Sequence, residues 1–359
     1  MAAVLAAVAL VTGCSGPTAT ESVTAPSVPG TLPPIYFAKN GSLYVSDPIG
    51  GAPRKLTDGP GDTDPAPSPD GRSVAYVHRA NPEQSGGELR VLDIASGDTR
   101  RLVDPADVEP RFDGDEPTVT TPRWSPAGDR IAFLEATFGG GGFLLTAAVD
   151  TGEVTTPPEP LFADFGYSWS PDGRKIAWAG GRSDVSPVDV SVYTVGGTST
   201  TLVADTNVMS VSYAADGRSI VFANADATRS AFLSVPFALR NGGVYTVREG
   251  EPPVPLLSGP NAYADVQALP SGAVAFTVWS ADETSRTIGV LEDGDNFELA
   301  ETPGGAPAPV WFAQGAETAM AYIGTAPDHP LLVQSGTTDP IRIDSGADAF
   351  AWGPTQTGG

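Results

Sequence analysis

The apolar residues of this chain fall into short runs, and one kind of run keeps returning. Val74-Ala75-Tyr76, Ile131-Ala132-Phe133, Ile176-Ala177-Trp178, Ile220-Val221-Phe222, Val274-Ala275-Phe276 and Met320-Ala321-Tyr322 are all bulky–small–bulky triplets. They lie about 45 residues apart, a period in the range of blade-type repeats. Alternation of this kind predicts β-strands with their bulky residues on one face. A turn precedes each triplet: "PSPDGRSVAYV" from Pro67, "WSPAGDRIAFL" from Trp124, "WSPDGRKIAWAG" from Trp169 and "YAADGRSIVFA" from Tyr213. Weaker copies are "ALPSGAVAFT" from Ala268 and "WFAQGAETAMAYI" from Trp311. In these turns Pro fixes φ, Asp tolerates the next position and Gly accepts left-handed geometry, so each copy is a β-hairpin and its Asp is turn chemistry rather than catalysis.

A further apolar run follows each triplet, such as Leu89-Arg90-Val91, Val190-Ser191-Val192 and Leu331-Leu332-Val333. Then come a Gly-containing turn, for instance at Gly97, Gly197 or Gly336, and a polar outer strand such as "TRRLV" or "STTLV". Four strands per unit of this length predict a propeller blade. The chain ends hold two half-units: Ile35-Tyr36-Phe37 is a second strand without a first, and "FAWGP" from Phe350 is a first strand without a second. The fold class expected is therefore all-β, a single β-propeller of four-stranded blades. Seven blades follow if the N- and C-terminal strands pair to close the ring, and six if one degenerate unit is irregular.

The repeats resemble the TolB-like, WD40-like (PD40) propeller family, built around "SPDGRxIAF", over residues 34–354. That resemblance implies a propeller closed by pairing of its terminal strands, usually with six blades. It also implies a role in the cell envelope, since the family includes partner-binding periplasmic propellers and lipoprotein propellers that accompany sensor kinases.

Composition narrows the functional classes. The chain has 359 residues, of which 20 are Lys or Arg and 43 Asp or Glu, for a formal charge of −23. Such an excess argues against nucleic acid or an anionic membrane surface as a partner of the domain itself. Cys14 is the single cysteine, so no intrachain disulfide is possible and stability must come from burial. "MAAVLAAVALVTGC" is an apolar run of signal-peptide length, too short for a spanning helix. "LVTGC" resembles the bacterial lipobox, which implies lipidation of Cys14. No Lys or Arg precedes the run, a departure that leaves the true translation start open. The domains expected are a lipoprotein signal peptide over 1–13, the lipidated Cys and a Ser/Thr/Pro tether over 14–33, and the propeller over 34–359. Ala, Gly and Arg in excess over Lys point to a high-GC Gram-positive bacterium. The location expected is the outer face of its cytoplasmic membrane, and with no outer membrane the family's Tol role is not carried over.

In four-stranded blades the connections alternate between two ends. One end takes only tight turns; the other takes every long connection, over 78–87, 104–121, 139–142, 180–187 and 224–242. Recognition concentrates on such loops. Two of them supply the candidate partner-binding residues: the acidic loop with Glu109, Asp113, Asp115 and Glu116, and the apolar stretch with Phe232 and Phe237. The acidic loop, which also holds Asp104 and Asp107 with Asp62 and Asp64 on a neighbouring connection, reads as solvated rather than as a Ca²⁺ site, because its spacing is not that of an EF-hand. The apolar stretch reads either as a lid packed on the propeller or as an exposed patch for a partner. His78 and His329 are the only histidines, which excludes a multi-His metal site, and no G-x-S-x-G elbow is present ("GYSWS" at Gly166 fails it). The expectation is a monomeric, non-catalytic binding or scaffolding module for a cell-envelope protein, with no cofactor or metal. The alternative is an envelope carbohydrate enzyme, a lyase or glycosidase, working with two carboxylates in the central funnel.

Overall fold

A computed structural model describes residues 32–81, 86–108, 117–136, 142–181, 188–226, 240–280, 284–314, 317–336 and 338–354. Among them the only helical element is one 3₁₀ turn, Pro105–Asp107; everything else regular is antiparallel strand. Five sheets have four strands, and one has eight. In chain order, Asp62–Pro67, Ser73–His78, Glu88–Asp93 and Thr99–Val103 form the first complete four-stranded sheet. Val208–Tyr213 opens the next, Tyr263–Ala268 another, and Val310–Gln314 the last. The eight-stranded sheet is two such runs, opened by Val119–Trp124 and Phe162–Trp169. They are joined where Gly142 and Phe143 pair with Ala163 and Phe162. The remaining sheet mixes the two ends of the chain: Ile35–Lys39 pairs with Ser42–Ser46 on one side and Ala349–Trp352 on the other, with Ile35 opposite Trp352 and Phe37 opposite Phe350.

The core is not one mass but a series of layers between consecutive sheets, and the strand triplets explain it. Successive side chains point to opposite faces. Ile131 and Phe133 therefore enter the layer shared with the preceding sheet, and Ala132 enters the layer shared with the following one. The small residue is matched to what arrives from the next unit. Ala75 shares a layer with Trp124, Ala132 with Trp169, Ala177 with Tyr213, Ala275 with Trp311 and Ala321 with Trp352. In one layer the sizes are reversed on both sides: Val221 replaces the alanine and Ala268 replaces the aromatic. The N-terminal sheet does likewise, with Tyr36 at the small position and Pro67 ending the next first strand. Close packing demands this conservation of summed volume.

Five of the first strands carry an aromatic residue at an equivalent position: Trp124, Trp169, Tyr213, Trp311 and Trp352. Trp169, Tyr213 and Trp311 are buried, whereas Trp124 and Trp352 are half-buried. An indole carries a donor that must find a partner when enclosed. Trp124 donates to Ala66 O at 2.7 Å, Trp169 to Arg123 O at 3.1 Å and Trp352 to Val310 O at 3.0 Å. Each of these bonds joins one first strand to the first strand before it. Ser168, Ser212 and Gln267 make the same link in reverse, accepting from Tyr213 N, Ala268 N and Trp311 N.

Candidate functional site

At the tight-turn end the carboxylates are occupied by the turns themselves. Asp70 accepts from the Ser68 hydroxyl at 2.6 Å and from Arg72 N at 3.1 Å, while Ser68 Oγ accepts from Ser73 N at 3.0 Å. Ser170 and Asp172 repeat the arrangement, and in "SPAGD" Asp129 takes over the role of the displaced Asp. In the unit with Ala214 in place of serine, Asp216 accepts from Ser219 N and Arg218 N and from the Ser219 hydroxyl. The Ser68 hydroxyl lowers the Asp70 pKa and the Ser170 hydroxyl that of Asp172; the Ser219 N–H leads in lowering Asp216 to about 2. These groups hold the turns.

The loop-bearing end is built differently. There the first strands carry bulges, between Thr63 and Ala66, Thr120 and Arg123, Ala163 and Tyr167, and Ala264 and Gln267. The register places Asp64, Thr121, Gly166 and Asp265 at one equivalent position, and all four have positive φ, of 50°, 53°, 87° and 50°. For Thr121, a β-branched residue, this conformation is costly, of order 1–3 kcal/mol, and such strain collects at functional or tightly constrained sites. Sequence reasoning passed over these bulges; Pro65 and Pro122 fit them, but they fit equally the edge position of these strands, since proline cannot donate within a central strand and is confined to edges and bulges.

Around the bulges, polar groups from three consecutive first strands interlock, one in the first complete four-stranded sheet and two in the eight-stranded one. Asp64 is half-buried as a residue, but its carboxyl is set deep among neighbouring atoms. That desolvation pushes its pKa up, while the Arg79 charge and hydrogen bonds from Thr121 N and the Thr63 hydroxyl pull the other way. The buried Tyr167 hydroxyl lies 2.5 Å from Thr121 O and 2.9 Å from Ala132 O, and burial raises its pKa well above the usual range. Arg123 donates to Tyr167 O at 2.6 Å, with its guanidinium carbon 5.1 Å from the Tyr167 ring centre. Beside this group, buried Asp62 meets His78 Nδ1 at 2.7 Å. A cavity of about 330 Å³ opens alongside, lined by Asn40, Gly41, Pro60, Gly61, Asp62, Thr63, Arg79 and Asp348. In the sheet opened by Tyr263–Ala268, Asp265 pairs with Arg286 Nη1 at 2.5 Å and accepts from the Thr277 hydroxyl at 2.7 Å. Arg286, only 4% exposed, also reaches Ala306 O at 2.6 Å and faces the Trp279 ring at 5.3 Å.

Of the residues singled out from sequence, Cys14, Glu109, Asp113, Asp115, Glu116, Phe232 and Phe237 lie outside the described residues. Asp104 caps the 3₁₀ turn through Ala106 N at 3.0 Å and pairs with Arg101 at 2.6 Å. His78 is brought to Asp62, and His329 has a left-handed backbone, φ 45°. Among the described residues no group of three or more His, Cys, Asp or Glu is placed to hold a metal ion, and no helix is long and apolar enough to cross a membrane.

Layered four-stranded antiparallel sheets with bulged first strands place the fold in the β-propeller class. Neither a family model nor a curated protein sequence matches the chain. Among solved structures it is similar to TolB from Acinetobacter baumannii, with TM-score 0.54 and 15% identity over 91% of this chain and 68% of that one. It is similar also to the tricorn protease, with TM-score 0.61 and 11% identity over 89% of this chain and 36% of the protease. Oligogalacturonate lyase in complex with manganese gives TM-score 0.55 and 13% identity over 89% of this chain and 85% of the lyase. This chain thus spans about a third of the length of the tricorn protease, and at these identities the likeness is one of fold.

Proposed function

We propose that this protein is a closed propeller of seven blades that binds a cell-envelope protein through its loop-bearing end without catalysis, anchored to the outer face of the cytoplasmic membrane by lipid on Cys14. Counting the two runs of the eight-stranded sheet separately gives seven blades, and a buried layer containing Ile35, Phe350, Ala321 and Leu331 between the last sheet and the first supports closure. The observation that carries the functional reading is the asymmetry of the two ends. Turn-bound carboxylates finish one end; at the other, strained but interlocked first strands present every long connection on a rigid base. The acidic loop with Glu109, Asp113, Asp115 and Glu116 and the apolar loop with Phe232 and Phe237 are the surfaces such a partner would meet.

Crosslinking and pull-down from membranes test this. Phe232→Asp/Phe237→Asp, or neutralisation of the four acidic-loop residues, is expected to lose a specific partner while melting is unchanged, and Cys14→Ser is expected to release the protein from the membrane. Retention of the same partner by both loop variants overturns the reading. The carbohydrate-enzyme alternative has one observation in its favour, the deep-set Asp64 carboxyl with raised pKa beside Arg79. Turnover of an envelope polysaccharide fragment abolished by Asp64→Asn, in a folded variant, would replace binding with catalysis.

A further inference from the structure

Among the described residues the outer strands of the sheets are open along one side, and one of them stands apart. Asp295–Pro303 has nine residues, whereas Arg54–Lys55, Thr99–Val103, Val154–Thr155, Ser199–Val203, Val254–Gly259 and Ile341–Ser345 have two to six. Among the described residues it pairs only with Ser285–Glu292. A long open edge displays unpaired N–H and C=O groups and templates another strand unless something prevents it. Arginine, proline or shortness protects most of the other edges. On this one the charges are all acidic: Asp295, Glu298 and Glu301, with no ion pair reaching them among the described residues.

The register sorts its side chains. A bulge between Ile288 and Gly289 sets Glu298 opposite Gly289 and Glu301 opposite Thr287, so the two glutamates share one face of the sheet despite their odd spacing. Phe297, opposite Val290, and Ala300, opposite Ile288, lie on the other face, and Phe297 is 49% exposed. The edge therefore offers the glutamate pair on one face and an apolar ring on the other, where Asp295, opposite Glu292, stands at the strand's start. A second copy of this chain would bring the same acids against it, with −23 on each molecule, so homotypic pairing is opposed. A strand of opposite charge is favoured. We propose that Asp295–Pro303 is a strand-addition site for an extended peptide that alternates basic and apolar residues, its main chain pairing with the open edge, its cations facing Glu298 and Glu301 and its apolar residues covering Phe297. The surface lies on the outer strand, so the proposal stands independently of the loop-bearing end.

The probe is a blocked nine-residue peptide alternating Lys and Val, titrated calorimetrically into the whole protein, with amide hydrogen exchange followed alongside. Binding, with slowed exchange confined to residues 295–303, is expected. Glu298→Lys/Glu301→Lys should weaken it at least tenfold with the melting temperature unchanged, and the Glu–Val counterpart should not bind. The proposal is overturned if the peptide does not bind or the charge-reversed protein binds equally well. It is likewise overturned if a version N-methylated at every second residue, which cannot donate to the edge, binds the wild-type protein with the same affinity and no exchange is slowed.

Discussion

At the scale of single residues, the turn aspartates make the clearest demand. Asp216 accepts two backbone N–H bonds and a hydroxyl, and its pKa falls to about 2 from an ordinary carboxylate value near 3.8. A carboxyl depressed on folding contributes stability that is fully present above the unfolded value and is lost as pH falls through the folded one. Between about pH 4 and pH 2 the wild-type melting temperature is therefore expected to drop more steeply than that of Asp216→Asn, and the two curves should run parallel above pH 5. A scan in which the variant shows the same slope would mean that the hydrogen bonds persist in the unfolded chain. At the other end, Asp64 departs in the opposite direction because its carboxyl is desolvated. Asp216 precedes Gly217 in an exposed turn and Asp64 precedes Pro65 in a strand bulge; the depth at which the fold sets each carboxyl separates a lowered pKa from a raised one.

At the scale of the element, the bulky–small–bulky triplet is a packing code between neighbouring sheets. Ala177→Val adds volume where Tyr213 already fills the layer and is expected to cost about 1–3 kcal/mol. Val221→Ala empties the layer in which the next first strand supplies only Ala268, and loses about 1.6 kcal/mol at ~0.8 kcal/mol for each buried methyl-sized group. Combining Val221→Ala with Ala268→Trp rebuilds the pairing of sizes found in the other layers. The double variant should be more stable than the sum of the two single changes predicts, with a coupling of about 0.5–3 kcal/mol in denaturant titrations. Strict additivity would show that the two positions do not share a layer. The strands themselves were legible in sequence because period-two alternation and Pro-Asp-Gly turns are local signals. The outer strands were less so: the polar stretch "PRKLT" from Pro53 contains only Arg54–Lys55 as strand, and nine-residue Asp295–Pro303 carries little alternation because most of its residues are exposed. The left-handed residue of "GGTS" is Gly196 rather than Gly197, a choice made by the turn that Gly197 N closes onto Thr194 O.

At the scale of the whole molecule, the critical contact is between the ends of the chain. Ala349–Trp352 supplies the first strand for Ile35–Lys39, and Phe350 with Trp352 packs in the layer that meets Ala321 and Leu331. Deletion of residues 345–359 is expected to unfold the protein in a single cooperative transition at a much lower temperature, because each layer depends on the sheet beside it. Melting within a degree or two of the intact chain would show that the terminal pairing does not hold the domain together.

The sequence by itself determined the strand-and-turn grammar, the repeat, the half-units at the two ends and the sizes of the side chains that fill each layer. These are written in local periodicity and in residue volume, which need no partner to be read. Only the tertiary structure decided where the polar groups go. Asp64, Thr121 and Tyr167 come from three separate first strands, and Asp62 meets His78 across a strand pair. Whether a carboxyl is solvated, paired or desolvated depends on atoms distant in the chain, which no local pattern encodes. The edge at Asp295–Pro303, open among the described residues, is of the same kind, since an open edge is defined by what does not lie beside it.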